Sequence, residues 1–229
     1  MDELSSRLHP KAQILYRDTD VLVVCKPHGV LSHPSEDRDR PSSLFQARYD
    51  LSSEQYFLAH HTLSLMHRLD KETSGCVLLA FNQKSAKRLR AAFQAKEIDK
   101  TYVALVKGTI KSKTQWKDHL IKKDGAVFRD KTGAPNAFTT VCPLRAHESS
   151  KISYLELRPS TGKTHQLRVQ AASRGLPIVG DRRYGDFELN AWVKNDFGIS
   201  RMCLHALRLS FKHPVSSKNI TIEAPDIDF

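Results

Sequence analysis

The sequence predicts an α+β fold with a largely antiparallel mixed sheet. Strand-like runs outnumber helical ones along the chain. They follow one another without the regular helical crossovers that a parallel, doubly wound sheet needs. The chain has 229 residues, 40% of them hydrophobic, enough for a sizeable core in one large domain or two small ones.

Each element rests on a local signal. Residues 1–12 are polar and are expected to be loosely held. Residues 13–16 and 21–26 are short β-like runs joined through the turn formers Asp18, Thr19 and Asp20. Lys26-Pro27-His28-Gly29 ends the second run, because proline removes a ladder donor and glycine admits a positive φ. Residues 35–40 are densely charged and read as a loop; Pro41-Ser42-Ser43 can open a helix reaching about Tyr49. Residues 50–61 carry no clear periodicity. Residues 76–81 are apolar throughout, the mark of a buried strand. Asn82 is a good N-cap for an amphipathic helix over 83–95, with Ala86, Leu89 and Phe93 on one face. Its other face, Lys84, Lys87, Arg88 and Arg90, is either simply solvated or contacts phosphate.

Residues 100–108 alternate and end at Gly108, predicting a central strand. The lysine-rich stretch 110–133 reads as a hairpin excursion. Residues 137–145 and 152–158 read as paired strands, connected through His147-Glu148-Ser149-Ser150. A short helix is expected over 162–173, its first turn able to turn backbone N–H groups toward an anion. A glycine-punctuated loop over 177–185 and a helical turn or two over 188–194 follow. The last strands are expected at 202–211 and 220–224.

The formal charge of +11 favours a polyanionic partner, most often nucleic acid, although ribosome-associated and membrane-surface proteins share such a charge. No apolar run approaches the length of a membrane span, and the acidic start Met1-Asp2-Glu3-Leu4 lacks a signal-peptide core. The expectation is a soluble cytoplasmic protein. Cys25, Cys76, Cys142 and Cys203 form no C-x-x-C pair and sit in apolar or β-like sequence. Free thiols in a reducing compartment fit them better than a zinc site. The eleven histidines are scattered apart from His60, His61 and His67, and no metal site is assigned.

The chemistry centres on residues 66–75. Asp70 lies between Arg68 and Lys71, and Thr73-Ser74-Gly75 then turns into the apolar run. A carboxylate beside a core strand is either a catalytic group or part of an ordinary charged loop. To stay ionised in a cleft it needs a cationic partner. Side chains adjacent on an extended segment point to opposite sides, so the better partner is expected from elsewhere in the chain. Taken alone, Arg168 reads as an exposed helix cation, and Tyr102 as a core tyrosine whose hydroxyl reaches an edge.

His67-Arg68-Leu69-Asp70-Lys71-Glu72-Thr73-Ser74-Gly75 resembles, position for position, the H-R-L-D-x-x-T-S-G signature of the RluA-type pseudouridine synthases. Thr161-Gly162-Lys163-Thr164-His165-Gln166-Leu167-Arg168 is similar to the family's T-G-R-T-H-Q-L-R segment, with Lys163 in place of arginine. Residues 100–108 are similar to its K-x-Y-x-A-L-V-x-G block. Residues 25–30 resemble N-K-P-x-G-hydrophobic, with Cys25 where asparagine is usual. Residues 175–185, 201–206 and 211–214 resemble G-x-P-I-x-G-D-x-x-Y-G, R-x-x-L-H-A and F-x-H-P. The pieces keep their order from about residue 13 to the C-terminus.

The resemblance implies an RNA pseudouridine synthase that isomerises specific uridines in tRNA or rRNA after flipping them out of the stack. It implies a pseudouridine-synthase fold, in which a long bent mixed sheet with flanking helices carries a central catalytic cleft. Asp70 is the implied nucleophile, Tyr102 the general base and Arg168 the cation paired with Asp70. Arg68 is expected to hold phosphate or fill the space the uridine leaves. His67, Lys163, His165 and Leu167 are further expected substrate contacts; a lysine at 163 keeps the charge but not arginine's bidentate geometry. Residues 13–229 read as the catalytic domain, with no room before Gln13 for the S4 module of many relatives. The expected form is a monomer acting on RNA, without cofactor, metal, membrane or obligate protein partner. The alternatives are a non-catalytic RNA-binding protein or RNA chaperone that keeps the fold, and a metal-dependent nuclease or deaminase.

Overall fold

The computed structural model describes residues 3–147, 152–227 and 229. The architecture is α+β, as predicted. The chain divides into two compact units, Met1–Ile98 with Ala206–Asp226, and Asp99–His205 with Ile227–Phe229. Among the described residues no helix is long and apolar enough to cross a membrane.

In the first unit, α1 (Glu3–Arg7) precedes a hairpin of β1 (Gln13–Arg17) and β2 (Val21–Lys26). β3 (Arg48–Asp50), β4 (Gln55–Phe57) and β5 (Thr62–Leu65) form an antiparallel meander that ends against β6 (Ser74–Ala80). β6 also pairs antiparallel with β2, setting Cys25 opposite Cys76 and Lys26 opposite Gly75. Every residue of β6 is buried, which is what an apolar run with no alternation requires. α2 (Gln83–Gln94) starts as predicted, with Asn82 Oδ1 accepting the Ser85 N–H at 2.9 Å. Ala86 and Leu89 join Val21, Val23, Leu78 and Phe211 in the core. On the opposite face Lys84 and Lys87 are exposed. Arg88 and Arg90 instead brace the unit, donating to the carbonyls of Pro214 and, at 3.4 Å, Ser53.

Two stretches of this unit depart from expectation. Residues 3–8, expected to be loose, are tied in: Leu4 is fully buried, and Glu3 accepts the N–H groups of Ala59 and, at 3.0 Å, His60. No helix runs from Pro41 to Tyr49. Asp37–Ser42 form a short 3-10 helix, and Leu44 and Phe45 follow as buried chain outside any helix. The Leu44 N–H donates to the Leu31 carbonyl at 2.8 Å, and its own carbonyl accepts the His9 N–H at 2.9 Å. Backbone groups committed to distant neighbours cannot also close helical turns, so tertiary pairing overrides the Pro41 start signal. The aperiodic stretch 50–61 is β4 and its turns; Asp50 Oδ1 caps the first by accepting the N–H groups of Ser52 at 2.8 Å and Ser53 at 2.9 Å.

The second unit is an antiparallel sheet in the order β7 (Asp99–Lys107), β11 (Ile152–Pro159), β10 (Ala137–His147), β8 (Thr114–Lys123) and β9 (Ala126–Asp130). The excursion at 110–133 is the β8–β9 hairpin. Its two-residue turn is Asp124-Gly125, with φ of 50° and 72°, the sequence such a turn favours. The connection Glu148-Ser149-Ser150 lies outside the described residues. α3 (Gln166–Ala172) is shorter than expected, and α4 (Phe187–Phe197) is longer. Asp186 caps α4 by accepting the Leu189 N–H at 2.9 Å. Ala104, Val106, Leu155, Leu157, Leu167, Ala171 and Val193 share one core. β12 (Leu204–Lys212) begins in this unit and runs into the first, where β13 (Asn219–Glu223) pairs with it.

Gly75 is where the 66–75 segment enters β6. Its φ is 115°, and a Cβ there would lie 2.2 Å from the Ala206 carbonyl oxygen, whereas a Cβ on Gly125 would meet nothing within 4 Å. Gly75→Ala is therefore expected to cost about 3 kcal/mol in urea unfolding and Gly125→Ala about 1 kcal/mol. Equal losses would contradict the close approach of Ala206.

Candidate active site

Asp70 lies on a turn whose backbone is fixed on both sides. The Thr73 N–H donates to the Asp70 carbonyl at 3.0 Å. Before it, one side chain locks Leu69: Ser32 Oγ accepts the Leu69 N–H at 3.0 Å and donates to the Leu69 carbonyl at 2.8 Å. Ser32 is buried, and its own carbonyl accepts the Tyr56 hydroxyl at 2.7 Å. After Asp70, the Lys71 carbonyl accepts the Gly29 N–H at 2.9 Å and Lys26 Nζ at 3.1 Å. Lys26 is completely buried, and its Nζ also donates to the carbonyls of Val30 at 2.7 Å and Pro27 at 3.0 Å. A buried ammonium is tolerated only when hydrogen-bonded, and here the donors hold residues 27–30 against the Asp70 turn. His28 adds a further tie, donating from Nδ1 to the Glu72 carbonyl at 2.9 Å, with Nε2 3.2 Å from the Glu72 carboxylate. Asp70 remains partly exposed on this rigid support.

The flanking residues divide the remaining work. His67 Nε2 accepts the Leu78 N–H at 3.1 Å, and the Met66 N–H donates to the Leu78 carbonyl at 3.0 Å. The imidazole thus takes the place of a strand carbonyl, and its ring lies 5.4 Å from Phe93. Arg68 is exposed, with Nη1 3.2 Å from His33 Nε2. His33 stacks on Tyr49 at 4.7 Å, and Tyr49 meets Tyr56 edge-on at 4.7 Å. Burial, with some help from Glu54, pushes the Tyr49 hydroxyl up to about 12, so it stays neutral. A guanidinium at the outer end of an aromatic ladder suits both stacking on a base and pairing with phosphate.

In the second unit, Tyr102 stands on β7 opposite Leu157, partly exposed at the margin of the core. Lys100 Nζ donates to the Thr161 carbonyl at 3.2 Å, and burial pulls that amine below the usual lysine range. Gln166 holds the loop that follows. Its Oε1 accepts the Thr161 hydroxyl at 2.8 Å and the Lys163 N–H at 3.1 Å, while its Nε2 donates to the Phe138 carbonyl at 3.1 Å. The anion site expected at the start of 162–173 is therefore corrected: the Lys163 N–H is taken by Gln166, and helix begins only after His165, which has a left-handed φ of 51°. The Lys163 side chain is exposed. His165 Nδ1 lies 2.9 Å from the Tyr184 hydroxyl, which also accepts the Val127 N–H at 3.2 Å. Leu167 is 7% exposed and belongs to the core, so its side chain seats α3 and does not present a face to substrate.

Arg168 is buried and donates from Nε and Nη2 to the two oxygens of Asp181 at 2.7 and 2.9 Å. Asp181 also accepts the N–H groups of Arg183 at 2.8 Å and Tyr184 at 3.0 Å. Burial by itself would raise the Asp181 carboxyl; Arg168 and the two amides outweigh it and hold the carboxyl below its ordinary range.

Asp70, Arg68 and His67 thus belong to the first unit; Tyr102, Lys163, His165, Leu167 and Arg168 belong to the second. Ser32, Gln166 and Asp181 escape a reading of the sequence by roles. Gln166 and Asp181 stand inside segments that carry the resemblance, where they could have been found; Ser32 carries no such signal. Among the described residues, Asp18, Asp20 and His213 each bring a ligand-type atom within 4.8 Å of the others. Those atoms already have partners: Asp18 Oδ2 takes the Tyr16 hydroxyl at 2.7 Å and His213 Nε2 at 2.9 Å, and Asp20 Oδ1 takes Asn82 Nδ2 at 2.9 Å. The group reads as a lock on the β1–β2 turn.

A family model described as RNA pseudouridylate synthase matches residues 20–173. The chain is 34% identical to the ribosomal large subunit pseudouridine synthase C of Buchnera aphidicola subsp. Acyrthosiphon pisum, over 95% of this chain and 68% of that one. It is 31% identical to the tRNA pseudouridine synthase C of Yersinia pestis, over 93% of this chain and 85% of that one. Among solved structures it is similar to human RNA pseudouridylate synthase domain containing 1, with a TM-score of 0.72 and 26% identity, covering 94% of this chain and 84% of the other.

The Arg168–Asp181 pair has a pH signature. The folded carboxyl titrates below its unfolded value of about 3.9, so the pair's stabilisation is complete above that value and is lost as pH falls through the folded one. Asp181→Asn leaves Arg168 short of its counter-charge and is expected to cost about 3 kcal/mol at neutral pH. Urea unfolding between neutral and acid pH should show a flatter acid limb in the variant; parallel limbs would contradict the pairing.

Proposed function

The chain belongs to the RNA pseudouridylate synthase family, and on that premise we propose how its residues isomerise uridine in RNA to pseudouridine. The observation that carries the reading is the Asp70 turn, a partly exposed carboxylate on backbone that Ser32, Lys26 and Thr73 hold from both sides. Uridine and pseudouridine have the same composition. The bond from N1 to C1′ breaks, one from C5 to C1′ forms, a proton leaves C5 and one is gained at N1.

The uridine first leaves its stack, at a cost of a few kcal/mol. Arg68, extended from the His33–Tyr49 ladder, stacks in the vacated space or holds the adjacent phosphate. Asp70 attacks the flipped nucleotide as nucleophile, and the glycosidic bond breaks. The base turns and rejoins through C5, and the bond to Asp70 breaks, returning the carboxylate. Tyr102 then takes the C5 proton, a role open to a phenol held within hydrogen-bond reach. Arg168 keeps Asp70 ionised and oriented; the bidentate grip of Asp181 supports this by fixing its guanidinium in one plane. Lys163 serves as an exposed point charge for backbone phosphate. The relatives are named for ribosomal large subunit RNA and for tRNA, and we take a structured RNA of one of these kinds as the substrate. The acting form is a monomer in the cytoplasm.

Tritium release from RNA labelled at C5 of uridine tests the reading. Wild type should release label from total tRNA or ribosomal RNA, and no release from either would refute the activity. Asp70→Asn should abolish release while RNA affinity stays within about tenfold, because one charge is a small part of a polyanion interface. Tyr102→Phe should slow release by about 10²-fold or more. Turnover that survives Asp70→Asn would refute the nucleophile.

A further inference from the structure

We propose that Cys25 and Cys76 form a modification site: two facing thiols that a hydroperoxide closes into a cross-strand disulfide, disturbing the Asp70 turn. The register carries it. Cys25 of β2 is the partner of Cys76 of β6. One step beyond the first pair of this ladder, the Phe81 N–H donates to the Asp20 carbonyl at 2.9 Å, so Asp20 and Phe81 are a hydrogen-bonded pair. Such pairs alternate along an antiparallel ladder, which makes Val21–Ala80, Val23–Leu78 and Cys25–Cys76 the non-hydrogen-bonded ones. Leu78 agrees: its N–H and carbonyl face His67 and Met66 instead of β2.

Cα atoms of non-hydrogen-bonded pairs lie about 4.5 Å apart, inside the span of about 4.4–6.8 Å that a disulfide bridges. Directly opposed side chains share one face, and both thiols pack against the core that holds Leu78, Leu209 and Phe211. Both are free. Cys25 also stands where the resembling segment of the family usually has asparagine.

Their surroundings differ in a way that orders the chemistry. Cys76 is 1% exposed, and its thiol points at the Leu207 carbonyl at 3.6 Å. Burial, with the neighbouring Cys25, pushes the Cys76 thiol up to about 12, so it does not supply the first thiolate. Cys25 is only half-buried and meets the oxidant first. Its thiolate attacks one peroxide oxygen, the O–O bond breaks, and a sulfenic acid and hydroxide result. The Cys76 sulfur then attacks the Cys25 sulfur. The S–S bond forms, the S–O bond breaks, and the departing hydroxide leaves as water with the Cys76 proton. Two thiols have lost two electrons and two protons, and one peroxide has become two waters.

The bond alters the site because there is no room beside it. Opposed Cβ atoms sit about 4.5–5.5 Å apart, whereas a disulfide draws them to about 3.8 Å. The next pair along the ladder is Lys26–Gly75. Gly75 already rests on the Ala206 backbone, and the Lys26 ammonium holds the Lys71 carbonyl. Drawing β2 and β6 together therefore shifts both residues that carry the Asp70 turn.

The test uses the reduced 229-residue chain, hydrogen peroxide and peptide mapping under non-reducing conditions. The expected result is a Cys25–Cys76 linked peptide, short of two hydrogens, while Cys203 stays a thiol. Tritium release should fall at least severalfold and return with dithiothreitol. Cys25→Ser and Cys25→Asn should form no link and keep their activity through the same treatment. Cys25 ending as a sulfinic acid, or paired with Cys142 or Cys203, would overturn the site. A link formed with unchanged turnover would overturn its effect on the turn. The linked peptide is read by mass alone, so its presence or absence stands apart from the proposed activity.

Discussion

The ammonium of Lys26 is the interaction on which the rest of the first unit depends. It is fully buried and donates to the carbonyls of Pro27, Val30 and Lys71. An ammonium in apolar surroundings is costly, and only hydrogen bonds to the charged group offset that cost. The bonds link the end of β2, the loop after it and the turn that carries Asp70. Separating any of these segments would leave the buried charge short of a hydrogen bond. This one residue therefore makes the turn's position part of the folding of the sheet. It also explains why a lysine sits where β2 ends: a strand side chain long enough to reach three carbonyls must start from the last position of the strand.

The second unit uses the same logic with different groups. Asp181 is a buried carboxylate whose two oxygens take four hydrogen bonds, from Arg168 Nε and Nη2 and from the amides of Arg183 and Tyr184. Gln166 and Gln170 are buried amides spent on Phe138, Thr139, Asp118 and Thr161. α3, at seven residues, is too short to hold itself together by propensity. Its polar face is fixed by these bonds and its apolar face by Leu167 and Ala171 in the core. Loop 161–165 then inherits its geometry from side chains of the helix that follows it.

What the sequence makes legible follows from how local each signal is. The buried run 76–81 and the Asn82 cap act within a few residues and appear where expected, and the excursion expected over 110–133 is a hairpin whose tip is Asp124-Gly125. The helix expected from Pro41 fails because Leu31 and His9, distant in sequence, claim the backbone of Leu44. The start of the chain is held by Glu3 bonding to Ala59 and His60, a contact that no local pattern announces. The site divides the same way. Asp70 and Arg68 are visible in a contiguous motif, whereas Ser32, which fixes Leu69, lies thirty-seven positions away and is an ordinary serine in an ordinary loop.

Most of the motif from His67 to Gly75 is scaffold. His67 stands in for a strand acceptor to Leu78, Leu69 is clamped by Ser32, and the Thr73 amide closes the turn. Gly75 lets the chain pass the Ala206 backbone. The exposed or partly exposed side chains that remain are those of Arg68, Asp70, Lys71 and Glu72, and Glu72 is taken up by His28. A signature of this length is therefore less a list of reacting groups than the minimum sequence that presents one carboxylate and one guanidinium on a backbone that cannot relax. That requirement also makes the strand pair behind the turn sensitive. Any change in the spacing of β2 and β6 at Cys25 and Cys76 reaches Lys26 and Gly75 next, and through them the carboxylate.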